Sequence, residues 1–168
     1  MIAAAIALLI ATIHPSFAAP VKLIPVEAQI VKAIDRILAH PLQPSDADDI
    51  KKIATYSKES SRITITLNQH FVFVSKDDRD TLCFGFYIAG ATKFRLLHPE
   101  AAKDPYADVL TSLRAGLVEY RAIRGVDPTY KNEQWANADR LDHQGLLAQW
   151  IDQTIRSDKS KAESPKTS

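Results

Sequence analysis

The histidines are the side chains of this sequence best suited to hold a metal ion. His40 and His98 each come directly before a proline, at the predicted ends of two helices. A cationic imidazole there faces the negative end of the helix dipole, which is sufficient reason for both residues. If two helical hairpins pack side by side, this pair could approach each other, but a zinc site would need further ligands. The other two histidines beyond the N-terminal segment are His70 and His143.

The tightest group of acidic residues and histidine consists of Asp139, Asp142 and His143. Because Asp142 and His143 are adjacent, a helix directs them to different faces. The sequence has no H-E-x-x-H and no E-x-x-H pattern, which removes the main support for a zinc protease or a di-iron bundle. It also has no C-x-x-C-H pattern for covalent haem. We therefore predict neither a metal site nor a cofactor.

Cys83 is the only cysteine and lies in the apolar stretch TLCFGFYIAGATKF, residues 81–94. A catalytic thiolate requires a base and an accessible, electropositive setting. The neighbours of Cys83 are instead leucine, phenylalanine and tyrosine, and apolar surroundings raise the pKa of a thiol. We predict that Cys83 is buried and unreactive. A single cysteine cannot form an internal disulfide.

Other catalytic motifs are missing from the sequence, including G-x-S-x-G, the P-loop and G-x-G-x-x-G. Most acidic residues precede predicted helices, where capping explains them. Arg114, Arg121 and Arg124 share a helix face and could bind an anion, but Glu119 beside them favours an ordinary solvated surface. The net charge of +1 provides no field for nucleic acid or an anionic membrane.

The N-terminal sequence MIAAAIALLIATIHPSFAAP predicts a secretory signal peptide. Residues 2–13 are apolar, and Ser16 and Ala18 are the small residues expected before cleavage after Ala18. The apolar run is shorter than the about 20 residues that span a bilayer. We predict a periplasmic or secreted protein with no membrane span once residues 1–18 are removed.

Apolar residues at helical spacing predict that most of the chain is helical. Each predicted helix is bounded by residue types that start or stop helices. These are Pro25 and Pro41 for the first helix, Ser45 for the second, Asp77 and Pro99 for the third, Asp104, Pro105 and Gly125 for the fourth, Asp127, Pro128 and Gly145 for the fifth, and a last helix through Leu147 and Ile155. Gly125 is expected to adopt a left-handed conformation that ends the fourth helix.

Residues 62–67 break this helical period. Ile63, Ile65 and Leu67 alternate with threonines, which predicts a short strand. The predicted fold is therefore mainly α: a bundle of four to five helices in two helical hairpins with one short β-strand or hairpin, with α+β as the alternative. We predict one domain, residues 19–156, and a disordered tail, residues 157–168, because the tail has no apolar face.

Gly85 and Gly90 lie inside the predicted third helix, where each costs about 1 kcal/mol relative to alanine. With Ala89 they form a surface of small residues. Such a surface allows a neighbouring helix to approach closely. We predict that this neighbour is the helix that carries Leu113 and Gly116.

Three short motifs are distributed along the chain. They are Ala39-His40-Pro41-Leu42 at the end of the first helix, Tyr87-Ile88-Ala89-Gly90 in the third, and Asp104-Pro105-Tyr106-Ala107 at the start of the fourth. Together they resemble an uncharacterised group of small secreted bacterial helical proteins, over roughly residues 30–150. The resemblance implies an exported helical protein and carries no activity, cofactor or site residue with it.

These observations predict a non-enzymatic module of the cell envelope that binds another protein or a small ligand. The alternative is a hydrolase whose Asp and Glu residues come together only in the fold. A concave pocket with two carboxylates of raised pKa would favour the enzyme. An exposed apolar patch would favour partner binding.

Overall fold

The structure is a computed structural model that describes the backbone of residues 21–163 and side chains through residue 160. The predicted signal peptide, residues 1–18, and the last five residues of the predicted tail lie outside this range. The described chain forms α1 (Pro25–Ala39), α2 (Asp46–Glu59), α3 (Asp78–Leu97), α4 (Val109–Val126), α5 (Glu133–His143) and α6 (Leu147–Glu163), with short 3-10 helices at Gln69–Phe71 and Pro99–Lys103. The mainly α class is confirmed, with six α-helices in the described residues rather than four to five.

The predicted strand at 62–67 is wrong, because no strand occurs within the described residues, and the α+β alternative falls with it. The alternation of side chains is nevertheless visible in their burial. Ile63 lies in the core, whereas Leu67 is exposed. Alternating burial needs only an extended chain over a core, but a strand also needs a second extended segment to pair with.

The boundaries of α1 were predicted correctly, and those of α4 were not. Pro25 occupies the first turn of α1, which ends at Ala39, before Pro41. Helix α4 begins at Val109 rather than at residue 105, because the backbone N–H of Tyr106 bonds to the Asp104 carboxylate in a separate turn. Gly125 lies inside α4, and among the described glycines only Gly145, after α5, has a left-handed backbone (φ 71°).

Helix α6 extends through Glu163, so residues 157–163 are helical rather than disordered. Tertiary contacts continue past residue 156. The Asp158 carboxylate accepts a hydrogen bond from Asn68 (3.3 Å) and pairs with His70 (3.1 Å). Lys159 lies over the ring of Tyr106 at 5.8 Å. These polar contacts replace the apolar face that the tail sequence lacks.

Helix α3 is the central helix and packs against α1, α2 and α4. Its Cys83 and Tyr87 belong to a core cluster with α4, α5 and α6, and its Phe86 and Ala89 belong to a second cluster with α1 and α2. Because α3 is buried on several sides, its sequence is apolar on nearly every face of the helix. No helix in the described part combines the length and the apolar character that crossing a membrane requires.

The glycines of α3 allow two different helices to approach. A Cβ atom at Gly90 would lie 2.7 Å from the Cβ of Ala115 and 2.9 Å from the carbonyl oxygen of Thr111, both on α4. The predicted close approach of α4 is therefore confirmed there. A Cβ at Gly85 would lie 2.7 Å from Cγ2 of Ile50. The neighbour of Gly85 is thus α2, and the predicted partner was wrong for this residue.

Candidate functional site

The structure separates the four histidines instead of gathering them. His40 and His98 directly follow α1 and α3, as predicted. His98 is paired with Glu100 (2.8 Å), and Nδ1 of His143 lies 2.8 Å from the carbonyl oxygen of Asp139. Across the described residues, no three His, Cys, Asp or Glu side chains are grouped so that they could hold a metal ion.

The arginines of α4 bind α5 rather than a free anion. Arg114 pairs with Asp142 (3.0 Å), and Arg121 bridges Asp139 (2.6 Å) and Asp142 (2.8 Å). Arg124 donates to the carbonyl oxygens of two residues in the loop after α4. The acidic residues predicted as a possible cluster are therefore partners of these arginines, and both groups have a structural role.

Cys83 is fully buried, as predicted. Burial raises the pKa of its thiol to about 12. Its nearest polar neighbour is the Tyr130 hydroxyl, 4.0 Å from Sγ, and burial raises the pKa of that hydroxyl as well. Neither group is a base that could ionise the thiol, so the site lacks the thiolate that nucleophilic catalysis requires.

Asp80 organises a buried polar network that the sequence analysis missed. Its side chain accepts hydrogen bonds from the Tyr130 hydroxyl, from Asn132 (2.9 Å) and from the Ser75 hydroxyl. The network connects the start of α3 to the loops before α3 and before α5. Asp80 lies three residues before Cys83 on the same buried helix face, and this spacing could have revealed it.

A second buried charge is neutralised by an ion pair. The Arg95 guanidinium of α3 donates to the Asp108 carboxylate and to the carbonyl oxygen of Ala101 (2.9 Å). Burial raises the pKa of Asp108, and the charge of Arg95 opposes this shift. The pair joins α3 to the residue directly before α4.

Two further buried carboxylates form no ion pair within the part of the chain that the structure describes. Glu119 of α4 is 1% exposed and Asp46 of α2 is 5% exposed. Glu119 Oε2 and Asp46 Oδ1 are buried and have no hydrogen-bond partner. Burial and then the charge of Asp46 raise the pKa of Glu119 to about 7, against a lowering contribution from the backbone of Leu42. The expectation that Glu119 lies on a solvated surface was wrong.

A groove with a volume of about 660 Å³ lies between α1 and α2. We call it the α1–α2 groove. Its apolar lining is Val26, Ile30 and Ala33, with the ring of Tyr56. Its charged lining consists of Lys32, Arg36, Lys51, Lys52 and Asp49. Four cationic side chains against one carboxylate make this groove positively charged.

The cations of the α1–α2 groove are only partly neutralised. Arg36 donates to Asp49 (2.9 Å from Nε), and Lys52 lies 3.9 Å from the same carboxylate. Within the described part of the chain, Lys32 and Lys51 form no ion pair, and both are exposed. Two lysines therefore remain available to an external anion.

A second cleft, of about 420 Å³, lies where α1, α3 and α4 meet. Its apolar lining includes Leu38, Phe94 and Val118. Its cations, Lys93 and Arg114, are already neutralised within the fold, because Lys93 pairs with Asp35 (2.5 Å) and Arg114 pairs with Asp142. This difference makes the α1–α2 groove the better candidate site.

Comparisons with known proteins identified no relative of this chain. No family model, no curated protein and no solved structure matches the chain.

Proposed function

We propose that this chain is an exported envelope protein, not an enzyme, and that it binds an anionic amphipathic partner in the α1–α2 groove. The observation that carries the proposal is the combination of an apolar floor, Ile30 and Ala33, with the unpaired lysines Lys32 and Lys51 at the rim. An amphipathic helix with acidic flanks matches this arrangement, since its apolar face enters the groove while its carboxylates meet the lysines.

The charge of the groove is local. The whole chain carries only +1, so attraction over long distances is weak and the groove supplies the selectivity. Lys32 and Lys51 are exposed, which makes them rim contacts that influence the rate of association and its salt dependence. Binding is therefore expected to weaken as the ionic strength increases.

The hydrolase alternative has one supporting observation, the buried pair Asp46 and Glu119. A raised carboxyl pKa beside a second carboxylate is the arrangement that acid–base catalysis uses. Neither residue, however, lines the α1–α2 groove or the second cleft, and both side chains are almost fully buried. A substrate would have to displace packed helices to reach them, so we do not assign them a catalytic role.

Titration of isotope-labelled protein, residues 19–168, with an acidic amphipathic peptide tests the groove. The peptide is built from Leu and Glu and has the length of α1, 15 residues or about 22 Å of helix. A Leu and Lys peptide of equal length is the control. We expect amide shift changes confined to residues that line the groove, only with the acidic peptide.

The matched variants are Lys32→Glu/Lys51→Glu in the groove and Lys58→Glu/Lys103→Glu outside it. Each replaces two exposed lysines, so the net charge changes equally. We expect the first to weaken binding of the acidic peptide by roughly tenfold or more, equivalent to about 1.4 kcal/mol, and the second to leave it within twofold. Equal losses in both variants would reject the groove as the binding site.

Export is tested separately by fractionation and N-terminal sequencing. The mature protein should begin at Ala19 and appear in the periplasm or the medium. A cytosolic product that still begins at Met1 would contradict the predicted signal peptide.

A further inference from the structure

We propose that two copies of this chain associate by antiparallel β-pairing of residues 63–67, with Ile65 of one copy opposite Ile65 of the other. The segment lies between α2 and the 3-10 helix at Gln69–Phe71. None of its residues lines the α1–α2 groove, so the inference does not depend on the proposed function.

The segment has the backbone course of a strand without the hydrogen bonds of one. Residues 63–68 form neither helix nor turn, and Asn68 at their end is extended (φ −101°, ψ 127°). Within the part of the chain that the structure describes, no backbone N–H or C=O group of residues 63–67 forms a hydrogen bond. Backbone groups need partners, and a row of them left open along an extended chain is a template for a second strand.

Both ends of the segment are held in place by the fold. Arg62 pairs with the buried Glu27 of α1 (3.1 Å), and Ile63 packs into the core formed with α1 and α2. At the other end, the Asn68 amide donates to the Asp158 carboxylate of α6 (3.3 Å). Because the segment is already extended before a partner arrives, pairing requires little further ordering of the chain.

The side chains of the segment do not block pairing. Native proteins protect open strand edges with charged residues or proline, and residues 63–67 contain neither. Three of the five side chains are β-branched residues or threonines that favour strands at exposed or half-buried positions: Thr64, Ile65 and Thr66. Leu67 is 50% exposed, and a second strand beside it would cover part of this apolar surface.

The sequence of the segment favours a second copy over a strand of another protein. Antiparallel pairing about Ile65 places Thr64 opposite Thr66 of the second copy. The same register places Ile63 opposite Leu67. Threonine then faces threonine and apolar residues face apolar residues, which are favourable cross-strand pairs. The segment is therefore complementary to itself.

The dimer is expected to be weak, because five residues a side are far fewer than the about 20–30 of a standard interface. Sedimentation equilibrium of the mature protein, residues 19–168, measures it. We expect a monomer at low concentration and a dimer with a dissociation constant on the order of 0.1 mM.

Hydrogen exchange locates the contact within the chain. Because alternate N–H groups of a strand point to the same edge, every second amide of residues 63–67 should gain protection as the protein concentration rises. Residues 72–74 are the internal control, since their backbone groups also lack hydrogen bonds in the described structure. Their amides should exchange at the same rate at every concentration.

Charge substitutions at positions 64 and 66 test the register. Thr64→Lys/Thr66→Lys places lysine opposite lysine, and Thr64→Glu/Thr66→Glu places glutamate opposite glutamate, so each variant alone should remain monomeric. A mixture of the two places every lysine opposite a glutamate and should associate at least as tightly as the parent protein. The threonine side chains form no hydrogen bond within the described part of the chain, so thermal unfolding should show that both variants stay folded.

The matched control is Gln134→Glu/Gln153→Glu, which adds the same charge at exposed positions of α5 and α6. It should dimerise like the parent protein. A control that lost association as completely as the glutamate variant would overturn the proposal, because net charge and not strand pairing would then control the dimer.

Two further results would also reject pairing about Ile65. One is a mixture of the lysine and glutamate variants that fails to associate. The other is a parent protein that remains monomeric up to about 1 mM, in which case the open edge would be left to a strand of another protein.

Discussion

Two buried acidic sites in this protein, Asp108 and Glu119, differ in what neutralises them. Asp108 lies against Arg95, which supplies a full opposite charge. Glu119 has no cation beside it, and the charge of Asp46 adds to the effect of burial in raising its pKa. The difference shows that burial alone does not define the role of an acidic residue. A paired carboxylate is fixed in one charge state, whereas an unpaired one must take up a proton or move.

Removal of Arg95 tests the paired site and should produce the largest effect. Arg95→Met leaves Asp108 buried without its cation, and breaking a buried pair from one side costs about 3–5 kcal/mol. Urea denaturation at pH 7 measures this loss. The double variant Arg95→Met/Asp108→Asn removes both charges and should recover part of it. If the single variant lost less than the double, Asp108 would not depend on Arg95.

The partners of the Asp80 carboxylate are neutral hydrogen-bond donors rather than a cation. Asp80→Ala leaves the buried Tyr130 hydroxyl and the partly buried Asn132 amide without an acceptor, and an unsatisfied buried group costs about 1–3 kcal/mol. The Ser75 hydroxyl also loses its acceptor, but Ser75 is exposed and can bond to water. We expect a total loss of about 3 kcal/mol by thermal or urea denaturation. Asp78→Ala, at an exposed position in the same turn, is the control and should be nearly neutral. Equal losses in the two variants would mean that Asp80 stabilises the protein by capping the helix and not through these hydrogen bonds.

Unlike the substitutions above, Glu119→Gln should stabilise the folded protein at neutral and higher pH. The folded pKa of Glu119, about 7, lies above its ordinary value of 4.5, so its favourable contribution is complete below pH 4.5 and is lost as the pH rises through 7. The shift corresponds to about 3 kcal/mol. We expect Glu119→Gln to unfold at a higher temperature than the parent at pH 8 and at the same temperature near pH 4.5. A gain that is constant across pH would reject the titration.

Two partly buried acids titrate in the other direction, so that stability also falls at acidic pH. The pKa values of Asp127 and Asp142 are lowered, the first chiefly by hydrogen bonds from Thr129 and the second by Arg121 and Arg114 against the effect of burial. Their contributions are present above the unfolded pKa and are lost as the pH falls. Stability is therefore expected to decline on both sides of a maximum in the weakly acidic range.

An exposed ion pair should give the smallest effect. Lys93 and Asp35 lie 2.5 Å apart, but both side chains are partly exposed. Solvent-exposed pairs contribute about 0–1 kcal/mol, so Lys93→Met should change the free energy of unfolding far less than Arg95→Met. Denaturation in low and high salt measures both. A comparable loss in the two variants would mean that burial does not control the strength of these pairs.

Part of the candidate groove could be predicted from the sequence. The predicted helices around Ile30 and Ile53 were correct. Which lysines stay unpaired was not predictable, because it depends on Asp49 turning toward Arg36 across two helices. Glu119 could have been found from its spacing, since it lies three residues after Gly116 and four before Ile123 on the buried face of α4.

Local signals in the sequence determined the start and end of α1, the burial of Cys83 and the positions of His40 and His98. Proline geometry and runs of apolar residues act within a few residues, so no tertiary information is needed to interpret them. The close approach of α4 at Gly90 was predictable for the same reason, because a glycine inside a helix requires a packing explanation.

Tertiary structure alone decided the remaining features. Residues 62–67 have the alternation of a strand but meet no second strand among the described residues, and Arg95 of α3 binds Asp108, directly before α4. The charge of Asp46 raises the pKa of Glu119 because α2 and α4 both pack against α3, and no spacing along the chain encodes this effect. Charge pairing and strand pairing both join residues that are distant in sequence, so their outcome is settled only when the helices assemble.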